Sequence, residues 1–96
     1  MPKHQKLFTD FWEDPIILEE MDPVDKYFYL YLLTNPNTTK TGRYYITEKQ
    51  MAVELGYSIV RVRLLLERFI KHFKLIRYNP ETEELVINDW RTFIKG

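Results

Sequence analysis

Thr47-Glu48-Lys49-Gln50-Met51-Ala52-Val53-Glu54-Leu55-Gly56-Tyr57-Ser58-Ile59-Val60-Arg61-Val62 is the stretch whose reading decides the fold. Thr47 offers a capping hydroxyl, so the spacing predicts a helix over Glu48 to Leu55, ended by Gly56, which alone takes a left-handed turn without a Cβ clash. Ser58 caps the next helix. There Ile59, Val62, Leu65, Leu66, Phe69, Ile70 and Phe73 recur at helical spacing over about four turns. Ala52 is small where two helices must cross, Gly56 makes the tight turn, and Val62 packs back under the first helix. Those are the requirements of a helix-turn-helix.

Upstream, Asp14-Pro15 and Asp22-Pro23 each put a capping carboxylate before a proline suited to a first helical turn. They predict a short helix from Ile16 to about Glu20 and a longer one from Pro23 to Thr34, apolar nearly all round and stopped by Asn35-Pro36. Gly42-Arg43-Tyr44-Tyr45-Ile46 reads as a brief strand. Downstream, Leu75-Ile76-Arg77-Tyr78 and Leu85-Val86-Ile87 are strand-like and joined by the turn-rich residues 79–84, hence a β-hairpin. Trp90, Phe93 and Ile94 are expected to fold back on the body. The order helix, helix, strand, helix, helix, strand, strand is that of a winged helix-turn-helix. We therefore expect an α+β fold in one domain over residues 1–96, with an N-terminal helical extension (1–22), a winged-helix core (23–96) and a C-terminal hairpin wing. A plain helical hairpin in an α+β domain fits the spacing too, but does not account for the hairpin directly after the long helix.

The 96 residues are too few for two independent cores and, at 45% hydrophobic, too apolar for disorder. Six Phe, seven Tyr and two Trp supply the buried area that a small domain needs. The absence of cysteine excludes disulfides and thiol chemistry. No apolar run approaches the roughly 20 residues of a membrane span, and no signal sequence opens the chain. A cytoplasmic protein is expected. Net charge is zero, yet residues 42–80 carry eight basic and three acidic side chains between two acidic flanks. A basic segment inside a neutral protein is the local field that meets polyanions.

With its apolar face subtracted, the second helix of the helix-turn-helix presents Val60, Arg61, Arg63, Leu64, Glu67, Arg68, Lys71 and His72. A helix lying in the major groove needs such a face, Arg gripping guanine edges or phosphates and Lys meeting phosphates. The candidate DNA-binding residues are Lys49, Ser58, Arg61, Arg63, Leu64, Arg68, Lys71 and Lys74, with Arg43 and Arg77 as further flanking cations. Arg61 and Arg63, near the N-terminal end, should lie deepest. Glu81, Glu83 and Glu84 at the wing tip would be repelled by phosphates, which argues against a wing deep in the minor groove.

The runs Lys6-Leu7-Phe8-Thr9-Asp10, residues 26–36 with their Tyr-Leu-Tyr-Leu-Leu-Thr-Asn-Pro core, Gly42-Arg43-Tyr44, and residues 75–82 resemble the N-terminal domain of phage replisome organisers and DnaD-type primosome proteins. The resemblance covers nearly the whole chain. It implies a part in initiating DNA replication in a Gram-positive host or its phage. This domain would then bind double-stranded origin DNA or self-associate, and a further C-terminal region would recruit helicase-loading proteins. Where that family often has Gly, before the first wing strand and in the wing turn, this chain has Lys74 and Glu83.

Two other functions fit the same residues. Leu7, Phe8, Phe11, Trp12, Ile16, Ile17 and Leu18 form an apolar N-terminal stretch suited to self-association or protein docking, unless it caps the core. A transcriptional regulator would carry the same helix-turn-helix. Catalysis is poorly supported: His4 and His72 are isolated, Glu19-Glu20 and Glu83-Glu84 read as solvated charge, and there is no phosphate loop or nucleophile motif. No metal or cofactor is expected.

Overall fold

Two Asp-Pro steps start the first two described helices. In the computed structural model, which describes residues 14–35, 37–39 and 41–88, Asp14 caps a short helix α1 (Pro15–Glu19), its carboxylate accepting from the Ile16 amide at 2.8 Å. Asp22 caps the longer α2 (Pro23–Thr34), accepting from the Asp25 amide at 2.9 Å, and the Asp25 carboxylate accepts from the Asp22 amide in return. This reciprocal box satisfies two amides that a helix start leaves without partners.

The stop at Asn35 has a specific cause. Its buried carboxamide donates to the Tyr31 carbonyl at 3.0 Å and the Tyr44 hydroxyl at 2.9 Å, and accepts from the Asn37 amide at 2.8 Å. Tyr44 in turn donates to the Leu32 carbonyl at 2.7 Å. Carbonyls in the last turn of α2 thus receive side-chain donors inside the protein. Burial pushes the Tyr44 phenol up to about 12, so it stays a donor into the alkaline range.

Strand β1 (Arg43–Tyr45), helix α3 (Glu48–Leu55) and helix α4 (Ile59–Glu67) follow, capped by Thr47, Gly56 and Ser58 as their sequence predicts. Gly56 is left-handed at φ 77°. Strands β2 (Ile76–Asn79) and β3 (Glu84–Ile87) complete a three-stranded antiparallel sheet in the order β1-β3-β2. The described residues thus form four helices and this sheet, an α+β arrangement compatible with a winged-helix-like class. Alternation divides the sheet into two faces. Tyr44, Leu85, Ile76 and Ile87 are buried against the helices, while Arg43, Val86 and Arg77 align across the outer face. In the helical layer Phe69 is the hub: its ring lies 5.2 Å from Phe28, 5.6 Å from Tyr29 and 5.1 Å from Phe73. Of the apolar N-terminal stretch, Ile17 joins the core, Ile16 packs against it and Leu18 is exposed. Leu7, Phe8, Phe11 and Trp12, like Trp90, Phe93 and Ile94, lie outside the described residues.

One element differs from expectation. The helix expected to run unbroken to Phe73 changes after Glu67 into a π turn, Arg68–His72, in which the Phe73 amide donates to the Arg68 carbonyl, five residues back, at 3.1 Å. The wider turn accommodates one extra residue while Phe69 and Phe73 both stay buried. Lys74 then ends the helix at φ 57°, and Glu83 closes the hairpin at φ 65°. These are the two positions where the resembled family often has Gly. The Asn88 side chain donates to the Lys74 carbonyl at 3.0 Å, and the Ile46 amide to the Glu83 carbonyl at 2.9 Å, so tertiary bonds hold both residues in the left-handed region.

Removing the Cβ at such a position should stabilise the fold, and adding one where Gly is left-handed should do the reverse. Lys74→Gly is expected to raise unfolding free energy by roughly 0.5–1 kcal/mol and Gly56→Ala to lower it by about 1 kcal/mol, measured by urea titration. The second loss is expected although nothing lies within 4 Å of the added Cβ, because the strain is in the backbone.

Candidate nucleic-acid interface

Helix α4 buries Val62, Leu65 and Leu66 and turns the remainder outward. Helical spacing places Val60, Leu64, Glu67 and Lys71 along its outermost row, with Arg61 and Arg68 on one flank and Arg63 on the other. Val60 and Leu64 are 66% and 61% exposed, so the centre of this row near the N-terminal end is apolar and edged by arginines.

The eight candidate residues take different places. Arg61 is exposed, and its guanidinium lies over the Tyr57 ring, 5.2 Å from the centroid. A cation over a ring face is attracted by the ring's quadrupole, a contact that needs none of the guanidinium's hydrogen-bond donors. Tyr57 is itself braced edge-on by Tyr27 of α2, with centroids 6.1 Å apart. Arg63 donates to Glu48 at 3.1 Å across the α3–α4 corner. Ser58 accepts from the Arg61 amide at 3.1 Å, so its hydroxyl fixes where α4 begins. Lys49 stands exposed on α3. Leu64 projects outward, Lys71 pairs with Glu67 one turn back at 2.9 Å, and Lys74 is exposed just after the π turn.

Arg68 is the exception. Its Nε lies 3.1 Å from both oxygens of Asp25, and its terminal nitrogen 3.0 Å from one of them. Asp25 is only 2% exposed. Those hydrogen bonds hold the Arg68 guanidinium above its ordinary pKa, and its planar group also packs over the Phe73 ring at 4.9 Å. Arg68 is exposed, as the sequence places it, but the structure also gives it a buried partner 43 residues away. His72, expected on the outward face, is exposed with Glu20 at 4.0 Å.

The site therefore rests on Asp25, Tyr57 and Glu48, none of which the sequence reading singles out. Asp25 had a local signal: it stands three residues after the capping Asp22, where a carboxylate serves the helix start. Tyr57 had one too, standing four residues before Arg61, whereas Glu48 did not, since it meets Arg63 only through the bend at Gly56.

On the sheet side, Arg43 pairs with Glu84 at 2.9 Å, and Tyr78 donates to the Ile46 carbonyl at 2.7 Å. Burial, reinforced by Glu48 and Glu83, pushes Tyr78 up to about 12. Tyr31 of α2 donates to Glu54 of α3, and burial followed by that carboxylate raises its pKa well above the usual range. Among the described residues no helix is long and apolar enough to cross a membrane, and no group of His, Asp and Glu could hold a metal ion.

Comparison with known proteins finds no matching family model, no matching curated protein and no matching solved structure.

Removing one member of a buried ion pair strands the other. Arg68→Ala should therefore cost roughly 2–3 kcal/mol of stability by chemical denaturation, below the range for a fully enclosed pair because Arg68 is partly solvated. Arg63→Ala, which breaks only an exposed pair, should cost less than about 1 kcal/mol. Equal losses would mean that the Asp25 contact has no special weight.

Proposed function

We propose that this chain is a winged helix-turn-helix domain that binds double-stranded DNA through α4, in a phage or Gram-positive replication initiator of the replisome-organiser type. Support for the fold comes from the order α2, β1, α3, α4, β2, β3, the sheet order β1-β3-β2, and the sharp α3–α4 corner at Gly56. The observation that carries the function is the N-terminal half of α4. There Arg61 and Arg63 flank an exposed Val60-Leu64 ridge, and neither arginine is tied to the interior.

Such a surface suits a major groove. An exposed ion pair such as Arg63–Glu48 contributes at most about 1 kcal/mol, so Arg63 exchanges readily to a guanine edge or phosphate. Val60 and Leu64 offer the apolar contact that thymine methyls accept. Lys49, Lys71 and Lys74 would meet phosphates, adding salt-dependent affinity without sequence information. Ser58 and Arg68 would act through position, one setting the start of α4 and the other its docking on α2. Glu81, Glu83 and Glu84 keep the wing turn away from the backbone. Origin DNA as the target, and helicase-loading proteins as further partners, rest on the sequence resemblance alone.

A second reading, self-association or protein docking, draws on the same ridge, because Val53 on α3 is 73% exposed and Val60 and Leu64 are nearly as open. Apolar residues beside Arg and Tyr are common at protein interfaces.

Fluorescence anisotropy separates the two, using an origin duplex and a scrambled one at about 50 and 200 mM salt. Duplex binding that weakens steeply with salt is expected. Replacing Arg61 and Arg63 together by Ala should cost about 2–5 kcal/mol on the preferred duplex and erase the preference. Preserved discrimination in that variant would remove Arg61 and Arg63 from the reading role. Absence of duplex binding at low salt, with a dimer in sedimentation that Leu64→Glu dissociates, would establish the docking reading instead.

A further inference from the structure

The outer face of the sheet, on the side away from the helices, carries a second cluster that duplex binding by α4 does not use. Strand register sets its geometry. Val86 of β3 is the cross-strand partner of both Arg43 on β1 and Arg77 on β2, so the two arginines flank it about 10 Å apart at the backbone. Side chains of that length can both reach a single anion lying over Val86. The next outward row, about 7 Å along the strands, is Tyr45, Glu84 and Asn79. Tyr45 is 62% exposed, and a ring on an outer sheet face has no core to fill. Between the rows runs an open groove of about 250 Å³ lined by Arg43, Arg77, Tyr78, Asn79, Glu84 and Val86.

We propose that this face is a binding site for single-stranded nucleic acid, with a phosphate between Arg43 and Arg77 and an unstacked base on the Tyr45 ring. Charge complementarity explains the arginines, and the neighbouring exposed ring specifies the strand. A duplex keeps its base faces stacked, whereas a single strand offers them to an aromatic platform. An acidic peptide would satisfy the arginines but leave the ring without a partner. Among the described residues Arg77 has no ion pair, while Arg43 is held by Glu84 in a largely exposed contact. Glu84 therefore competes with the incoming phosphate for Arg43, and Glu81 and Glu83 at the turn bias the strand toward the Arg43–Arg77 end.

The test is anisotropy of the full chain with a labelled oligothymidylate of about 15 nucleotides at low salt, alongside the duplex used for α4. Arg77→Ala and Tyr45→Ala should each weaken oligothymidylate binding roughly tenfold, with the Arg77 variant lowering the salt slope by about 0.7. Glu84→Gln should tighten it severalfold, an effect that loss of folding cannot produce. Tyr45→Ala should leave duplex affinity unchanged, and Arg61→Ala should weaken the duplex while sparing the single strand, so failure at one face is separable from failure at the other. The proposal is overturned by no oligothymidylate binding, by binding indifferent to Arg77 and Tyr45, or by polyaspartate displacing the oligonucleotide as well as unlabelled oligothymidylate does.

Discussion

One buried carboxylate organises the helical layer. Asp25 in the first turn of α2 accepts from the Asp22 amide and from Arg68, thereby joining the start of one helix to the π turn of another. Charge burial is costly, and a pair of this kind adds little net stability over a well-packed apolar substitute. Its effect is on register. Only one rotation of α4 brings Arg68 to Asp25, and that rotation also sets Phe69 between Phe28, Tyr29 and Phe73. The same rotation turns Val60, Arg61, Arg63 and Leu64 to solvent. The outward face of α4 is thus fixed from inside, by a contact that is absent from that face.

Charge is consequently redistributed relative to a plain count of basic residues. Arg68 is committed to Asp25, Lys71 is half-neutralised by Glu67, and Arg43 is held by Glu84. Near the α3–α4 corner Lys49 and Arg61 are exposed, beside Arg63 in its exposed pair with Glu48. A neutral molecule can present a local positive field of this kind to a polyanion without the broad attraction of a basic protein. The two arginines of the outer sheet face form a second and separate field.

Much of the fold was legible because local rules are strong where they apply. Asp14, Asp22, Thr47, Gly56 and Ser58 each act within a few residues, and all five end or start the helices that their chemistry implies. The strands were legible from their short aromatic and β-branched runs, although their boundaries moved by a residue at Gly42, Ile46, Leu75, Asn79 and Glu84. The π turn was not, because Phe69 and Phe73 occupy buried positions under either helical period, and only the hydrogen-bond pattern distinguishes them. The left-handed conformations of Lys74 and Glu83 were not legible locally, since neither residue type favours that region and tertiary hydrogen bonds hold both there. The candidate site was legible only as a list of outward residues. Which of them has an interior partner depends on pairs far apart in sequence, Asp25 with Arg68 and Glu48 with Arg63, and no local pattern encodes those meetings.

The claim that α4 is the DNA-reading element is tested most directly by amide chemical-shift mapping of isotope-labelled protein titrated with duplex at low salt. The account predicts that the largest shifts and line broadening fall on residues 57–64 and on Lys49, with smaller changes at Lys71 and Lys74. Shifts confined to residues 43–45 and 77–86, or none at stoichiometric duplex, would contradict it.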